Sequence, residues 1–243
     1  MPEQLWFTAI LNRYLAGPVT HFLLAVHVKP HYAQAPISNS VAMELLVFVF
    51  LLIVFAIVRA QLSVERPGGL QHTFEGLHGF MESQCEEIIG HHSERFVPFL
   101  LSLGLFILIC NLLGLVPGFE SPTAVPVVPF GCAVLAFFYY QTQGFRKSGI
   151  GYLKHLFGPI WWLAPLMLPL EIIGHFARLL SLTARLYANM FAGDMVTWVW
   201  FSLIPIGVPI IFLGLHTFVA FLQAYIFVLL VMAYLSFAVG EAH

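Results

Sequence analysis

EIIGHFARLLSLTARLYANMFAGD, the stretch from Glu171 to Asp194, sets Glu171, His175, Arg178, Arg185, Asn189 and Asp194 into surroundings that are otherwise almost wholly apolar. At about 100° per residue, the offsets of 4, 7, 14 and 18 from Glu171 put His175, Arg178, Arg185 and Asn189 within about 40° of one direction on a helix. They form a polar stripe interrupted only by Leu182. Asp194 lies nine residues past Arg185, about half a revolution round, and faces away from the stripe. Placing a buried arginine on one face and a carboxylate on another is costly unless both are used.

Working outward, hydrophobic residues fill 60% of the 243 positions and charged residues only 9%. The mean hydropathy is +0.89. Soluble domains carry about a quarter of their residues charged, so this composition excludes one. The apolar runs are long and unbroken instead of alternating, which selects helices over a barrel of strands. The net charge of −2, with no basic cluster, gives no sign of nucleic acid binding. Cys85, Cys110 and Cys132 are an odd number, and no disulfide is expected. His72, His78, His91 and His92 fall in a mixed polar segment without an HExxH pattern and read as solvated rather than as metal ligands.

The fold expected is an all-α membrane protein of about five transmembrane helices plus an amphipathic surface helix. Residues 1–40 mix apolar stretches with Arg13, Lys29 and prolines, and read as a retained, partly interfacial or external segment. Ala33-Gln34-Ala35 resembles a cleavage site, but Pro36 would follow the cut. Residues 41–240 read as one helical membrane domain. Its first span runs from Val41 to Val58 and is closed by Arg59. Residues 59–95 hold Arg59, Arg66, Arg95 and six glutamates, with a break at Arg66-Pro67-Gly68-Gly69. Phe74, Leu77, Met81, Ile88 and Ile89 recur there at mostly helical spacing, the pattern of a helix along the membrane surface. A second span covers about 96–116, carries Asn111 and stops at Pro117-Gly118, and a third covers about 127–141. The last portion, 159–240, is two apolar stretches broken near Pro205-Ile206-Gly207-Val208-Pro209. Each exceeds the ~20 residues of a perpendicular span, so both are expected to be strongly tilted, forming a long hairpin.

Six lysines and arginines lie in 59–95 and 142–158, against Arg13 and Lys29 before the first span and none in the 117–127 turn. The positive-inside rule therefore places the N-terminus outside and, with five spans, the C-terminus in the cytoplasm. No internal repeat of the kind common in secondary transporters is visible.

An arginine at mid-membrane costs from ~3 to more than ~10 kcal/mol, so it persists where it is paired, watered or needed. It keeps its proton at any working pH, which suits a group that must attract and release a carboxylate without becoming neutral. Ala184 and Ala188 flank Arg185, and Ala192 and Gly193 follow, so another helix can approach closely. The alternative for Arg185 is a structural ion pair with Glu171. Glu171 and Arg178 can equally sit near the cytoplasmic interface, with His175 in the same wet pocket. The final stretch adds His216 and Gln223, seven apart on one face, with Thr217 and Tyr225. His216 can relay a proton with Asp194, or be a satisfied core histidine; Gln223 can hydrogen-bond a guanidinium. Asn111 reads as a packing residue slightly more readily than as a channel residue.

Ser181-Leu-Thr-Ala-Arg185-Leu-Tyr-Ala-Asn189-Met-Phe-Ala-Gly193-Asp194 resembles the signature of subunit a of the F-type ATP synthase. Leu222-Gln223-Ala224-Tyr225-Ile226-Phe227, followed by Tyr234-Leu235-Ser236, resembles that family's last helix. Asn111-Leu-Leu-Gly-Leu-Val-Pro117 resembles its Asn-Leu-x-x-x-x-Pro motif, and Glu171 has a counterpart fourteen before the arginine. The resemblance covers about 60–240 in the right order. It implies a stator subunit in a bacterial inner membrane, packed against a ring of c subunits and joined to the b subunits of the peripheral stalk and the rest of the complex. It also implies two offset half-channels for protons and no cofactor, metal or nucleotide of its own. Arg185 is then the separator that holds the deprotonated ring carboxylate. Asn189, Asp194, His216 and Gln223 line the inlet or support the arginine, and Glu171, His175 and Arg178 lie on the outlet side. Asp194 stands for the family's commoner glutamate and reaches one methylene less, while Gly114 stands where some members carry an acid. Gly193 together with His216 resembles the bacterial pattern. Two other readings are a self-contained secondary transporter, which predicts solute uptake by this chain alone, and a membrane enzyme with histidine-bound metal.

Overall fold

The computed structural model describes residues 5–25, 36–63, 68–90, 93–116, 118–149, 164–204 and 207–240. Among these residues all regular structure is helical. The α-helices are α1 (Trp6–Ala25), α2 (Asn39–Ala60), α3 (Gly69–Ile89), α4 (Val97–Leu113), α5 (Val127–Ser148), α6 (Ala164–Leu203) and α7 (Val208–Val239). Short 3-10 turns at Ser93–Phe96 and Pro122–Ala124 precede α4 and α5. Three segments are long and apolar enough to cross a membrane: Asn39–Ala60, Ser93–Leu113 and Val208–Val239. This is an all-α membrane protein. α5 and α6 have 22 and 40 residues but dilute their apolar surface, α5 with Gln141, Thr142, Gln143, Arg146 and Lys147, α6 with the polar stripe.

Local chemistry sets several helix ends. The Ser38 hydroxyl accepts a hydrogen bond from the Val41 N–H at 3.4 Å, capping α2, and Arg59 stands in its last turn near the exposed carbonyls. Pro98 and Pro209 occupy first turns, where no intrahelical N–H bond is lost. Within the helices, Ser102, Thr183, Thr197, Ser202 and Thr217 each donate to the carbonyl four residues earlier. That arrangement satisfies a hydroxyl internally, the requirement that hydrocarbon imposes on polar groups.

α7 packs on both α4 and α6, with α5 against α6 and α7. Lipid tails are as apolar as leucine, so the bundle is held by close packing and interhelical hydrogen bonds rather than by expulsion of water. Ala133 and Ala136 on α5 and Ala220 and Ala224 on α7 are buried in the core and allow the close approach. Leu103, Ile107, Leu182, Leu186, Met190, Phe227 and Val231 fill the space between. α2 joins through a separate contact of Val47 and Leu51 with Cys110. Cys85, Cys110 and Cys132 are all buried free thiols.

α3 presents Met81 and Cys85, with Ile88 and Ile89, to the bundle, while Glu75, Glu86 and Glu87 are exposed. Phe74 meets Phe55 of α2 edge-on at 5.7 Å. Besides its contacts with α6, α7 is held by a hydrogen bond with each of α4, α3 and α5. Asn111 of α4 donates to the Ala220 carbonyl at 3.1 Å, Tyr225 donates to Oε1 of Gln84 on α3 at 2.9 Å, and Lys147 of α5 donates to the Val239 carbonyl at 2.7 Å.

The N-terminal segment holds more order than the sequence suggested. α1 is bound to the start of α2 through Asn12, which donates to the Ile37 carbonyl at 3.0 Å and accepts from its N–H at 3.1 Å. Trp6 meets Phe119 edge-on at 6.3 Å. Lys29, the Ala33-Gln34-Ala35 triplet, Arg66, Pro67, His91, His92, Pro117, Lys154, the start of the hairpin at 159–163, and Pro205 and Ile206 lie outside the described residues.

Candidate functional site

α6 carries the site. At ~1.5 Å per residue, Glu171 stands about 21 Å along the axis from Arg185 on one side and Asp194 about 13 Å on the other. The side chains of the stripe leave the helix in similar directions, but what they meet changes along its length.

At the first end, Glu171 Oε1 lies 3.7 Å from Nε2 of His175. The Tyr140 hydroxyl of α5 approaches Nδ1 of the same ring at 3.4 Å, and Phe137 meets it edge-on at 5.7 Å. The His175 Nε2 atom is buried without a hydrogen-bond partner. A gap of 3.7 Å is too long for a good direct bond and suits a water-mediated one. The Arg178 guanidinium sits 5.5 Å over the Tyr234 ring of α7, a cation–π contact that offsets part of its desolvation. Sequence reasoning missed Tyr140 and named Tyr234 only as part of the last-helix motif. Both stand in apolar helices, where a tyrosine hydroxyl carries no spacing signal until its partner is known.

At the second end, Nδ1 of His216 lies 3.8 Å from Asp194 Oδ1. The His216 ring is buried because Gly193 leaves room for it. A Cβ at Gly193 would lie 2.8 Å from the ring's Cδ2 and Nε2 atoms. One turn closer to Arg185, Asn189 donates to Oε1 of Gln223 at 2.9 Å. Gln223 is 1% exposed and so turns into the α6–α7 seam. The Nε2 atoms of both His216 and Gln223 are buried without partners. This end is therefore a row of polar groups with hydrogen-bonding capacity to spare, in an otherwise apolar seam. Gln223 spends its carbonyl on Asn189, and among the described residues it makes no hydrogen bond to Arg185.

Between the two ends, Arg185 is exposed, and among the described residues it makes no hydrogen bond or ion pair. Ser181, Ala184, Ala188, Asn189 and Ala192 are exposed with it, while Leu182, Leu186 and Met190 are buried on the neighbouring face of α6. The structural alternative of an Arg185–Glu171 ion pair fails, because Glu171 is about four helical turns away. Arg185 thus stands on an open face of small residues with its charge available to a partner.

Asn111 is wholly buried and fully used: it donates to Ala220, and its Oδ1 accepts from the Thr123 hydroxyl at 2.7 Å. It belongs to the packing of α4 on α7. Among the described residues, no group of three or more histidines, cysteines and carboxylates is placed to hold a metal ion.

The family described as ATP synthase A chain matches residues 41–236. The chain is 54% identical over 244 residues to ATP synthase subunit a of Koribacter versatilis (strain Ellin345), with 100% of both chains covered. It is 50% identical over 235 residues to ATP synthase subunit a of Solibacter usitatus (strain Ellin6076), covering 96% of this chain and 100% of the relative. To ATP synthase subunit a of Geobacter sulfurreducens (strain ATCC 51573 / DSM 12127 / PCA) it is 40% identical over 213 residues, covering 88% and 92%. On the extent of these matches, joined to the arginine-bearing helix and its paired seam, the chain belongs to the ATP synthase A chain family.

Proposed function

We propose that this chain is the stator subunit of a rotary F-type ATP synthase in a bacterial inner membrane. It takes no part in nucleotide chemistry and conducts protons to and from a ring of c subunits. α2 and α4 to α7 cross the membrane, the N-terminus is outside and the C-terminus is in the cytoplasm. The b subunits of the peripheral stalk hold it to the rest of the complex.

The observation that carries this reading is Arg185, exposed on a face of small side chains and, among the described residues, without a hydrogen bond or ion pair. A permanent cation at membrane depth needs a counter-charge, and a ring carboxylate passing this face supplies one. The small residues let the ring helix come close enough for direct contact. The two polar clusters lie on either side of Arg185 along α6, so neither joins the other except past the guanidinium. A proton from outside moves by Asp194, His216 and the Asn189–Gln223 pair to a ring carboxylate, neutralising it. The neutral carboxyl then travels round through lipid. On its return it releases the proton towards Arg178, His175 and Glu171, and the ionised group pairs with Arg185. Because arginine does not titrate, it repels a proton that would pass directly from one cluster to the other.

The test is Arg185→Ala in the assembled complex. ATP-driven proton pumping and proton-driven ATP synthesis are measured in inverted membrane vesicles, with assembly checked by immunoblot. Loss of both coupled activities with assembly intact is expected. Survival of both near the original level would overturn the reading.

A further inference from the structure

Resting on the outlet assignment above, we infer that Tyr140 is a positioning residue of the outlet: its hydroxyl holds Nδ1 of His175, turns Nε2 towards Glu171 and fixes which nitrogen carries the proton. Tyr140 is 3% exposed and lies in the bundle core with Ala133 and Ala136 of the same helix. Its hydroxyl stands 3.4 Å from Nδ1 of His175. Phe137, about one turn earlier on α5, meets the same imidazole edge-on at 5.7 Å. The Tyr140 ring lies 6.4 Å from it at an interplanar angle of 30°. α5 thus holds the imidazole both at one nitrogen and along its sides, which sets the plane of the ring as well as its place.

The other nitrogen looks away from α5. Nε2 is buried without a hydrogen-bond partner and lies 3.7 Å from Glu171 Oε1. The His175 side chain is 12% exposed and that of Glu171 45%, so the ring bridges a buried hydroxyl and a wet carboxylate. With the Tyr140 O–H donating to Nδ1, the neutral ring carries its one proton on Nε2, aimed at Glu171. Charging the ring puts a proton on both nitrogens, and the hydroxyl must then turn from donor to acceptor. The pH at which the ring charges therefore depends on the hydroxyl. The other groups beside it that hold or can hold charge are Glu171 and Arg178 on α6 and Tyr234 on α7. The Tyr234 ring is 5.9 Å from that of Tyr140 and 5.5 Å from the Arg178 guanidinium. The space left among Phe137, Tyr140, Arg178 and Tyr234 is a cavity of about 10 Å³, too small for a chain of waters to replace the hydroxyl.

The experiment uses the whole complex in inverted membrane vesicles, whose bath is on the outlet side. Proton-driven ATP synthesis is followed against bath pH at fixed luminal pH and membrane potential, with assembly checked by immunoblot. The variants are Tyr140→Phe, which keeps the ring and loses only the hydroxyl, His175→Gln, which cannot titrate, the two combined, and Arg185→Ala. The nucleotide-binding subunits are the same in every variant, so differences between profiles belong to the membrane sector. Tyr140→Phe should shift the pH profile by about half a unit or more, and the shift should be absent from the His175→Gln background. A Tyr140→Phe profile that superimposes on the unaltered one, or is lowered equally at every pH, would overturn the inference. So would a shift that persists with His175→Gln. If Arg185→Ala abolishes coupling while Tyr140→Phe shifts nothing, only the Tyr140 assignment fails. If Arg185→Ala keeps coupling, the outlet reading fails and Tyr140 falls with it.

Discussion

Replacing Gly193 with alanine adds one methyl group at the point where α6 and α7 meet over the proposed inlet. The added Cβ would stand 2.8 Å from Cδ2 and Nε2 of His216 and 3.0 Å from Cε1. Carbon contacts settle near ~3.5 Å, so the ring has to move by about 0.7 Å. It has little room to do so, being 4% exposed and enclosed by the seam. Overpacking of this kind costs about 1–3 kcal/mol. The gap between His216 and Asp194, already 3.8 Å, has no reserve of hydrogen-bond strength to lose. If the cost falls on this pair, proton-driven ATP synthesis in vesicles should drop about tenfold, since a factor of ten corresponds to ~1.4 kcal/mol. The complex should also denature at a lower temperature in detergent. Adding His216→Ala to Gly193→Ala removes the clash, so thermal stability should return while synthesis stays low. Full synthesis and unchanged stability in Gly193→Ala alone would refute the argument that this glycine makes space for the ring.

Two further outcomes test the packing around the site. Asn111→Ala leaves the Thr123 hydroxyl and the Ala220 carbonyl without their partner, which should cost about 1–3 kcal/mol and appear as a lower denaturation temperature of the purified complex; an unchanged temperature would remove the anchoring role. On α3, burial first and the nearby Glu82 carboxylate second push the Cys85 thiol up to about 11. A raised thiol stays protonated at neutral pH, so alkylation of Cys85 should be slow there and accelerate only in strongly alkaline buffer; rapid labelling at neutral pH, followed by mass spectrometry, would contradict it.

Long apolar runs were enough to read most of the helices, and the period of α6 laid out its polar stripe. Val41 to Val58 became α2 with two residues added at each end, because the Ser38 cap and Arg59 extend it. The seven-residue spacing of His216 and Gln223 correctly placed both on the face of α7 that meets α6. Harder to see was the division of the polar stripe. A helical wheel treats Arg178 and Arg185 alike, but α7 brings Tyr234 to the first and α5 brings Tyr140 to His175 beside it, while among the described residues the second has no hydrogen bond or ion pair. Which neighbour arrives is a property of the bundle, not of the stripe. α1 was hidden for a different reason: its anchors, Asn12, Asn39 and the Ile37 backbone, are far apart in sequence and match no motif.

On the proposed role, in which a ring turns beside this chain, the ties to α7 from α4, α3 and α5 acquire a mechanical meaning. Ala220, Tyr225 and Val239 are held by α4, α3 and α5 respectively, over a length of about 28 Å. A sideways load on α7 is shared at once among three other helices, so the helix cannot swing as a free lever. On that reading, the α6–α7 seam keeps its spacing under a load. A stator that yielded by even an ångström at Gln223 would change the distance its proton must jump.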